Sequence, residues 1–498
     1  MLKKIKTLSL IVFISAATYA QKSNIFIDRA FWKTNPTIEN IHQKIEEGHD
    51  ISALSSSSFD AVSYALIEKV DNKTIQYLLS KKGNGVNKLT HDGRTYVFWA
   101  AYKDNLEMMR FLVENGADMS IEDSHGYSVL NFAATTGQLN TKLYDFCIEN
   151  GADPTKEKNN NGANALLLVS PHVKDISLIS YFTSKGIDMK TTDSDGNGLF
   201  NYAAKAGNIE LMEYLRKQRL PYKKLNKQGE NAMIFASRGT RNYRNTLESF
   251  QYLERLGISP NVITNKGITP LHAISYREKD LNIFKYFLSK GVDVNQTDEK
   301  GNTSFLNATY MNDLNIVQLL FKQVKDINYQ NKKGISALSN AIQRNSSEVI
   351  NFLLDSGADV TVKDTKGNNL SYYLINSIKS KNLTYFKEKI TILSTKEFDV
   401  TERQKDGNSL YHLALDIGNT DLIKWVYSYK VDINTKNNNG ITPLHKAVMT
   451  AKDDKMIQLL VSLGADITIK TDLDESSYDL ASENELLEEN KINIEFLK

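Results

Sequence analysis

Histidine and cysteine, two residue types that often do acid–base or metal chemistry, are few in this sequence of 498 residues. Its eight histidines are scattered, and no two have the helical spacing of a zinc protease. No Gly-x-Ser-x-Gly elbow or Walker phosphate loop is present. We therefore predict a protein that is not an enzyme and has no catalytic residue, metal or cofactor. An enzyme hidden in one atypical segment is the alternative.

Two further features resemble chemical sites without completing one. Asp298 and Asp364 each precede a glycine by three residues, as in a fragment of a calcium loop. They lack the closing bidentate glutamate and the dense oxygen spacing of such loops, so we predict no calcium site. Cys147 is the only cysteine, which excludes an intramolecular disulfide, and its apolar neighbours predict a buried thiol rather than a reactive one.

A regular spacing of glycines organises the chain. Each follows one polar or charged residue and precedes a short apolar segment, at Gly93, Gly126, Gly162, Gly196, Gly229, Gly267, Gly301, Gly334, Gly367, Gly407 and Gly440. The spacings of 33 to 40 residues predict a solenoid whose units contain a glycine tip, a helix, a turn and a second helix. A Ser or Thr after most tips is placed to cap the first helix. Leucines late in the second helices are predicted to form the shared core: Leu288, Leu319, Leu353 and Leu459.

The segments after the tips carry a recognisable signature. Thr-Pro-Leu-His stands at 269–272 and 442–445, degenerate forms stand at 95–100, 128–133 and 409–414, and Gly-Ala-Asp closes several units. The sequence therefore resembles the ankyrin repeat family. That resemblance implies an all-α solenoid with β-hairpin tips, curved as a right-angle stack of about 12 repeats. It also implies that His272, His412 and His445 bond to backbone near the neighbouring tip.

We predict four segments along the chain. Residues 1–20 read as a signal peptide, because Lys3, Lys4 and Lys6 precede an apolar run and then small residues ending at Ala20. Residues 21–58 form an N-terminal helical cap that contains a helix with Ile38, Ile41 and Ile45 on one face. Residues 59–470 form the repeat array, and residues 471–498 form a C-terminal capping repeat.

The leader predicts a periplasmic or secreted protein with no membrane insertion after cleavage, and a retained anchor is the alternative. Removing its three lysines leaves 58 basic residues (61 minus 3) against 59 acidic ones, a net charge of −1. A nearly neutral chain is a poor binder of phosphate backbones, so we predict no nucleic-acid partner. We expect a monomer.

The resemblance implies a concave face, made of tips and first helices, that holds a partner protein. One candidate contact is an aromatic group with a neighbouring arginine: Arg94, Tyr96, Trp99 and Tyr102. These side chains would alternatively cover the first junction. The other candidate is a lysine row, bracketed by Asp195 and Asp406, that would attract an acidic partner: Lys266, Lys300, Lys333 and Lys366. Solubilising charge is the alternative.

Two longer spacings indicate insertions, at 238–245 and 383–397. Insertions in a solenoid emerge as loops that are often functional, although tolerated drift at a helix junction is the alternative. The first is basic and adds Arg241, Tyr243 and Arg244 to the candidate contacts. The main hypothesis is thus a non-enzymatic scaffold for protein–protein interaction. The alternative is a binding module for an envelope glycan or a small anionic ligand.

Overall fold

A computed structural model describes residues 24–241, 243–378, 383–396 and 398–498. The signal peptide predicted at residues 1–20 lies outside these described residues. The chain divides into two compact units, Met1–Ser194 and Asp195–Lys498, and each is described by itself.

The first unit contains a short 3₁₀ turn at Ile25–Ile27, another at His91–Gly93, and ten α-helices in its described part. The helices are α1 Arg29–Trp32, α2 Ile38–Glu46, α3 Ala61–Glu68, α4 Asn72–Leu79, α5 Tyr96–Tyr102, α6 Leu106–Glu114, α7 Val129–Thr135, α8 Thr141–Glu149, α9 Ala165–Val169 and α10 Ser177–Ser184. From α3 onward they alternate as first and second helices of successive repeats.

The second unit continues the same alternation. Its helices are α11 Leu199–Lys205, α12 Ile209–Lys217, α13 Ala232–Arg238, α14 Leu247–Arg255, α15 Pro270–Ile274, α16 Leu281–Ser289, α17 Ser304–Met311, α18 Leu314–Phe321, α19 Ala337–Arg344, α20 Ser347–Asp355, α21 Leu370–Ser377, α22 Leu383–Ser394, α23 Leu410–Leu415, α24 Thr420–Ser428, α25 Pro443–Thr450, α26 Lys455–Ser462, α27 Ser477–Ser482 and α28 Glu485–Glu489. A 3₁₀ turn at Glu495–Leu497 ends it. The prediction of an all-α repeat fold is confirmed.

Side-chain caps begin the first helices. Thr269, Thr303 and Thr442 each accept the backbone N–H of the residue three positions later, which satisfies a donor that the helix itself leaves unpaired. In α15 and α25 a proline follows the cap, at a position where its missing N–H costs nothing. The predicted capping role of Ser and Thr is confirmed at these tips.

Within each unit, a first helix packs on its own second helix and on the first helix of the next repeat of that unit. In the second unit this contact runs without a break from α11 through every odd-numbered helix to α27. Of the predicted core leucines, only Leu353 is fully buried, while Leu288, Leu319 and Leu459 are half-buried. The fully buried neighbours are Phe287, Leu320 and Leu460, because these complete the three- and four-residue spacing of the inward stripe.

The tips are tight turns closed by main-chain hydrogen bonds. At Asp298, for example, the N–H donates to the Asn302 carbonyl at 2.9 Å, and the Gly301 N–H donates to the Asp298 carbonyl at 2.9 Å. The Asp298 carboxylate also accepts the N–H groups of Lys300 and Asn302, both at 2.8 Å. The hairpin tips are therefore bonded as predicted, but as turns without extended strands in the described ranges.

The same side-chain pattern recurs at most tips. An Asp or Asn accepts the N–H groups two and four residues later at Asp123 and Asn159 in the first unit, and at Asn226, Asp298, Asn331, Asp364 and Asn437 in the second. Short polar side chains favour such turns because they bond to their own following backbone. The side chains that resembled calcium-loop fragments are therefore occupied in forming the turns.

Neighbouring tips are joined directly. The N–H of Glu299 donates to the Lys266 carbonyl at 2.8 Å, that of Lys332 to the Lys300 carbonyl at 3.1 Å, and that of Thr365 to the Lys333 carbonyl at 3.0 Å. Each bond crosses from one repeat to the next. The tips of these repeats therefore form a hydrogen-bonded ladder.

The ends of the described chain also contain the expected helices. Thr37 caps α2, which coincides with the predicted apolar stripe and ends just before Gly48. At the C-terminal end, Asp474 occupies the place of a tip glycine with φ +66°, and α27 and α28 follow it. The segment boundaries at residues 21–58 and 471–498 stay predictions. The insertion predicted at 383–397 contains the helix α22, with 12 residues.

Replacing Gly334 by Ala should weaken the ladder specifically. The new Cβ would lie 2.6 Å from the Thr365 nitrogen, whose N–H makes the bond to the Lys333 carbonyl. The matched control is Gly357→Ala, because Gly357 also has positive φ but has no atom within 4 Å of such a Cβ. Both variants bear backbone strain of about 1–2 kcal/mol. Gly334→Ala should lose about 0.5–1.5 kcal/mol more in urea unfolding, and equal losses would contradict the ladder.

Candidate functional site

The four lysines of the predicted row occupy one equivalent position, immediately before the tip glycine. All four are exposed: Lys266, Lys300, Lys333 and Lys366. Because the carbonyls of the first three accept the N–H of the following tip, the four lysines lie on consecutive rungs of the ladder. Stacked helices lie about 8–10 Å apart, which sets the approximate step between successive lysines.

The acids of these tips face the turn rather than the lysines. Burial opposes ionisation of Asp364, but hydrogen bonds from Asn368, Tyr373 and the tip backbone keep the pKa of this carboxyl below its ordinary value. Glu299 is the exposed acid of the row, and it lies 3.9 Å from the Lys266 ammonium. Two exposed lysines at adjacent tip positions, Lys332 and Lys405, add positive charge. The row therefore presents a basic edge.

The predicted aromatic group is mostly buried. Tyr96 has no exposed surface, Trp99 is 4% exposed and Arg94 is 8% exposed, while Tyr102 is half-buried. The Tyr96 hydroxyl donates to buried Asp60 at 2.7 Å, and burial followed by this charge raises the pKa of Tyr96 far above its ordinary value. The expectation that Tyr96 and Trp99 are exposed anchors is therefore wrong. They cover the first junction, which was the alternative.

Arg94 is likewise part of the interior. Its guanidinium donates to Asp123 at 2.7–2.8 Å, lies 3.1 Å from Asp92, and sits 4.3 Å from the centre of the Phe132 ring. Trp99 donates through its indole N–H to the Thr90 hydroxyl at 2.8 Å. Arg94 therefore joins two tips. Its positive charge is already balanced by Asp123 and Asp92, so it is not available to a partner protein.

The basic insertion is a loop between α13 and α14, as predicted. Arg241 and Tyr243 are exposed and Arg244 is half-buried. The sequence prediction missed two cations that neighbouring repeats place against this loop, Lys205 and Arg277. Sequence spacing gave no direct signal for them, since they lie more than thirty residues from Arg241 in the chain.

The three signature histidines are structural. His412 accepts the Ser409 N–H on Nδ1 at 3.2 Å and donates through Nε2 to the Ile441 carbonyl at 2.9 Å. His272 and His445 make the equivalent bonds to Asn302 and Ile469, at 3.0 and 2.8 Å. The implied bond to backbone near the neighbouring tip is confirmed. Burial lowers the pKa of all three, and that of His412 to about 4.

Cys147 is fully buried on α8, and burial raises the pKa of its thiol far above the ordinary value. Such a thiol is a weak nucleophile at neutral pH. Within the described residues, no three His, Cys, Asp or Glu side chains are grouped closely enough to hold a metal ion. In the same part of the chain, no helix is both long and apolar enough to cross a bilayer.

Removing Arg94 should destabilise the protein strongly. Arg94→Ala leaves the buried Asp123 carboxylate without its cation, which costs about 3 kcal/mol of unfolding free energy. Lys333→Ala is the control, because an exposed tip lysine should change stability by less than about 0.5 kcal/mol. Urea unfolding followed by circular dichroism measures both. Similar small losses in the two variants would show that Arg94 is not structural.

Acidification should weaken the fold through His412. Its pKa is about 4 in the folded state against an ordinary value of 6.5, so the unfolded chain takes up the proton first. The stabilisation is complete above pH 6.5 and is lost as pH falls towards 4, by about 3 kcal/mol. His412→Gln should flatten this part of the stability–pH curve in urea unfolding. His42→Gln, which changes an exposed histidine, should keep the wild-type slope; an unchanged slope in His412→Gln would refute the assignment.

Comparison with known proteins agrees with this geometry. A family model described as ankyrin repeats, three copies per match, fits residues 61–158, 241–331, 271–364 and 375–471. The chain is 24% identical over 242 residues to a putative ankyrin repeat protein of Acanthamoeba polyphaga mimivirus, covering 47% of this chain and 29% of that protein. It is 30% identical over 98 residues to the Notch-regulated ankyrin repeat-containing protein of Xenopus tropicalis, covering 19% of this chain and 86% of that protein.

A third relative is alpha-latrocrustotoxin-Lt1a of Latrodectus tredecimguttatus, 36% identical over 78 residues, or 16% of this chain and 5% of the toxin. The chain thus matches less than a third of the mimiviral protein and a small part of the toxin. The family model covers more than half of the chain, and its matches fall on helix pairs separated by bonded glycine tips. The chain belongs to the ankyrin repeat family.

Proposed function

We propose that this protein is a non-enzymatic scaffold that binds an acidic segment of a partner protein along the tips of its second unit. Ankyrin repeats generally mediate association between proteins, and that family membership supports a protein as the partner. The observation that carries the proposal is the exposed lysine row on four tips that are hydrogen-bonded to one another.

The spacing of the row suggests the form of the partner segment. Successive lysines lie on rungs about 8–10 Å apart. A polyproline II segment advances about 3.1 Å per residue and has three residues per turn, so three residues span one rung and every third side chain points the same way. Such a segment with Asp or Glu at every third position would therefore place one carboxylate opposite each lysine.

The ladder also explains how such a weakly attractive surface would bind. Exposed ion pairs contribute only about 0.2–1 kcal/mol each. Because the tips are already fixed by their own hydrogen bonds, little backbone entropy is lost when a partner binds. Four pairs acting together, with added charge from Lys332 and Lys405, would give modest affinity and strong dependence on ionic strength.

We further propose that the protein works as a monomer in the periplasm or the external medium. This location rests only on the sequence of residues 1–20, where a basic start, an apolar run and small residues precede Gln21. N-terminal sequencing of the mature protein from its native source would test it, and an intact leader would contradict it.

The lysine row is tested by neutralising it. The probe is a labelled synthetic peptide with Glu at every third position, measured by fluorescence anisotropy at low salt. The fourfold variant Lys266→Gln, Lys300→Gln, Lys333→Gln, Lys366→Gln should weaken binding about tenfold or more, since the loss of several exposed pairs sums to over 1.4 kcal/mol.

The matched control removes the same charge from second helices. Lys217, Lys285, Lys322 and Lys424 are exposed on or at the ends of α12, α16, α18 and α24, and their change to Gln should weaken binding much less. A peptide with the same glutamates in one block tests the spacing. If both fourfold variants weakened peptide binding equally, the binding would depend only on the net charge of the protein, which would contradict the proposed surface.

A further inference from the structure

The second unit contains an open cavity of about 540 Å³ beside the basic loop between α13 and α14. Four successive repeats contribute to it: Lys205 from the end of α11, the loop after α13, Tyr276 with Arg277 after α15, and Met311 at the end of α17. Ligand pockets for small molecules commonly have volumes of about 300–1,000 Å³. The cavity is therefore large enough for a small organic molecule.

Positive charge dominates the lining. Five cations line the cavity, namely Lys205, Arg238, Arg241, Arg244 and Arg277, against one lining acid, Glu278. The Glu278 carboxylate accepts the backbone N–H groups of Lys279 and Asp280 at 2.8 and 2.9 Å, so it is occupied by its own loop. Arg238 pairs with Glu230. The charge of the other four cations exceeds what the lining acid balances.

Lys205 lies among these like charges. Burial, followed by repulsion from Arg238, lowers the pKa of the Lys205 ammonium. Like charges held together in this way destabilise one another, and a bound anion would relieve the repulsion. Guanidinium groups are suited to that task because they donate two parallel hydrogen bonds to phosphate or carboxylate oxygens.

The loop between α13 and α14 is held by hydrogen bonds at both ends, which argues against the alternative that the insertion is only tolerated sequence drift. Buried Asn245 donates through its side-chain amide to the carbonyls of Ala204 and Ala236, at 3.2 and 2.7 Å. At the other end, Gly239 turns with φ +62°, and an added Cβ would lie 2.7 Å from the Tyr243 carbonyl oxygen. The Thr240 N–H closes the turn by donating to that carbonyl at 3.0 Å. These bonds hold Arg241 and Arg244 beside the cavity.

Part of the lining is apolar. Tyr276 and Met311 are exposed at its edge, at 38% and 43% of their surface, and Phe250 and Ile274 are buried in its wall. An inorganic ion would leave this surface uncovered. A ligand with a ring or a hydrocarbon part would cover it, and removing this apolar area from water would favour binding.

We propose that this cavity binds a small organic polyanion, with at least two phosphate or carboxylate charges held by Arg241, Arg244, Arg277 and Lys205 and a ring or apolar part against Tyr276 and Met311. The site lies beside a loop between helices, whereas the lysine row lies on the tips. It is therefore independent of the proposed protein-binding surface.

Calorimetric titration of the full chain at low salt tests this site with three probes: pyrophosphate, citrate and adenosine 5′-diphosphate. Binding of one molecule per chain is expected. Pyrophosphate and citrate distinguish phosphate from carboxylate recognition, and the diphosphate with a ring should bind more tightly than pyrophosphate. No binding of any probe at millimolar concentration would overturn the proposal.

Two variants make the test specific. Arg241→Gln with Arg277→Gln should weaken the best probe about tenfold or more, since both arginines are exposed and line the cavity. Arg255→Gln with Lys285→Gln removes two charges from second helices and should change the affinity less than about twofold. The fourfold lysine variant of the tips should bind the probe as wild type does. Equal affinity of the Arg241/Arg277 double variant and wild type would refute the site, whatever the result with the acidic peptide.

Discussion

The structure depends on one recurring interaction, a side-chain oxygen at the start of most tips that accepts two backbone N–H groups of the same turn. Asp298, Asn331 and Asp364 show it most clearly, with bonds of 2.8 to 3.0 Å. In the first two of these turns the carbonyl of the residue before the glycine, Lys300 or Lys333, accepts a tip N–H of the following repeat. A local choice of residue thereby becomes a contact between repeats, which is the nearest-neighbour term that stabilises a solenoid.

Positive charges are used in two opposite ways along this framework. Arg94 lies at a tip but is buried and packed on Phe132, and its charge is neutralised inside the protein by Asp123. Lys266, Lys300, Lys333 and Lys366 stand two residues earlier in their tips and are exposed. The difference of two positions decides whether a cation joins repeats or faces a partner, because the residue before the glycine points outward and the one after it enters the junction.

The sequence predicted the parts of the fold that are local and repeated. Glycine spacing located the tips, and the Ser or Thr after them located the first helices, since both depend on backbone geometry within a few residues. The signature histidines were also placed correctly. Core leucines were misassigned by one position at Leu288, Leu319 and Leu459, because a run of apolar residues does not show which one completes the inward stripe.

The site was less predictable because its parts come from different repeats. Tyr96 and Trp99 looked like anchors in the sequence, but large aromatic residues serve a junction as well as a surface, and only packing separates the two. The cavity cations Lys205 and Arg277 lie in repeats on either side of the basic loop, so no linear motif contains them.

The proposed lysine surface depends on tips that are fixed by their own hydrogen bonds and by those of their neighbours. Amide hydrogen exchange resolved to single residues tests this most directly at Glu299, Lys332 and Thr365, whose side chains are exposed and whose N–H groups cross between tips. We predict exchange as slow as that of the helix amides in the same repeats. Exchange at the rate of an unstructured peptide would contradict the ladder and the lysine row that it positions.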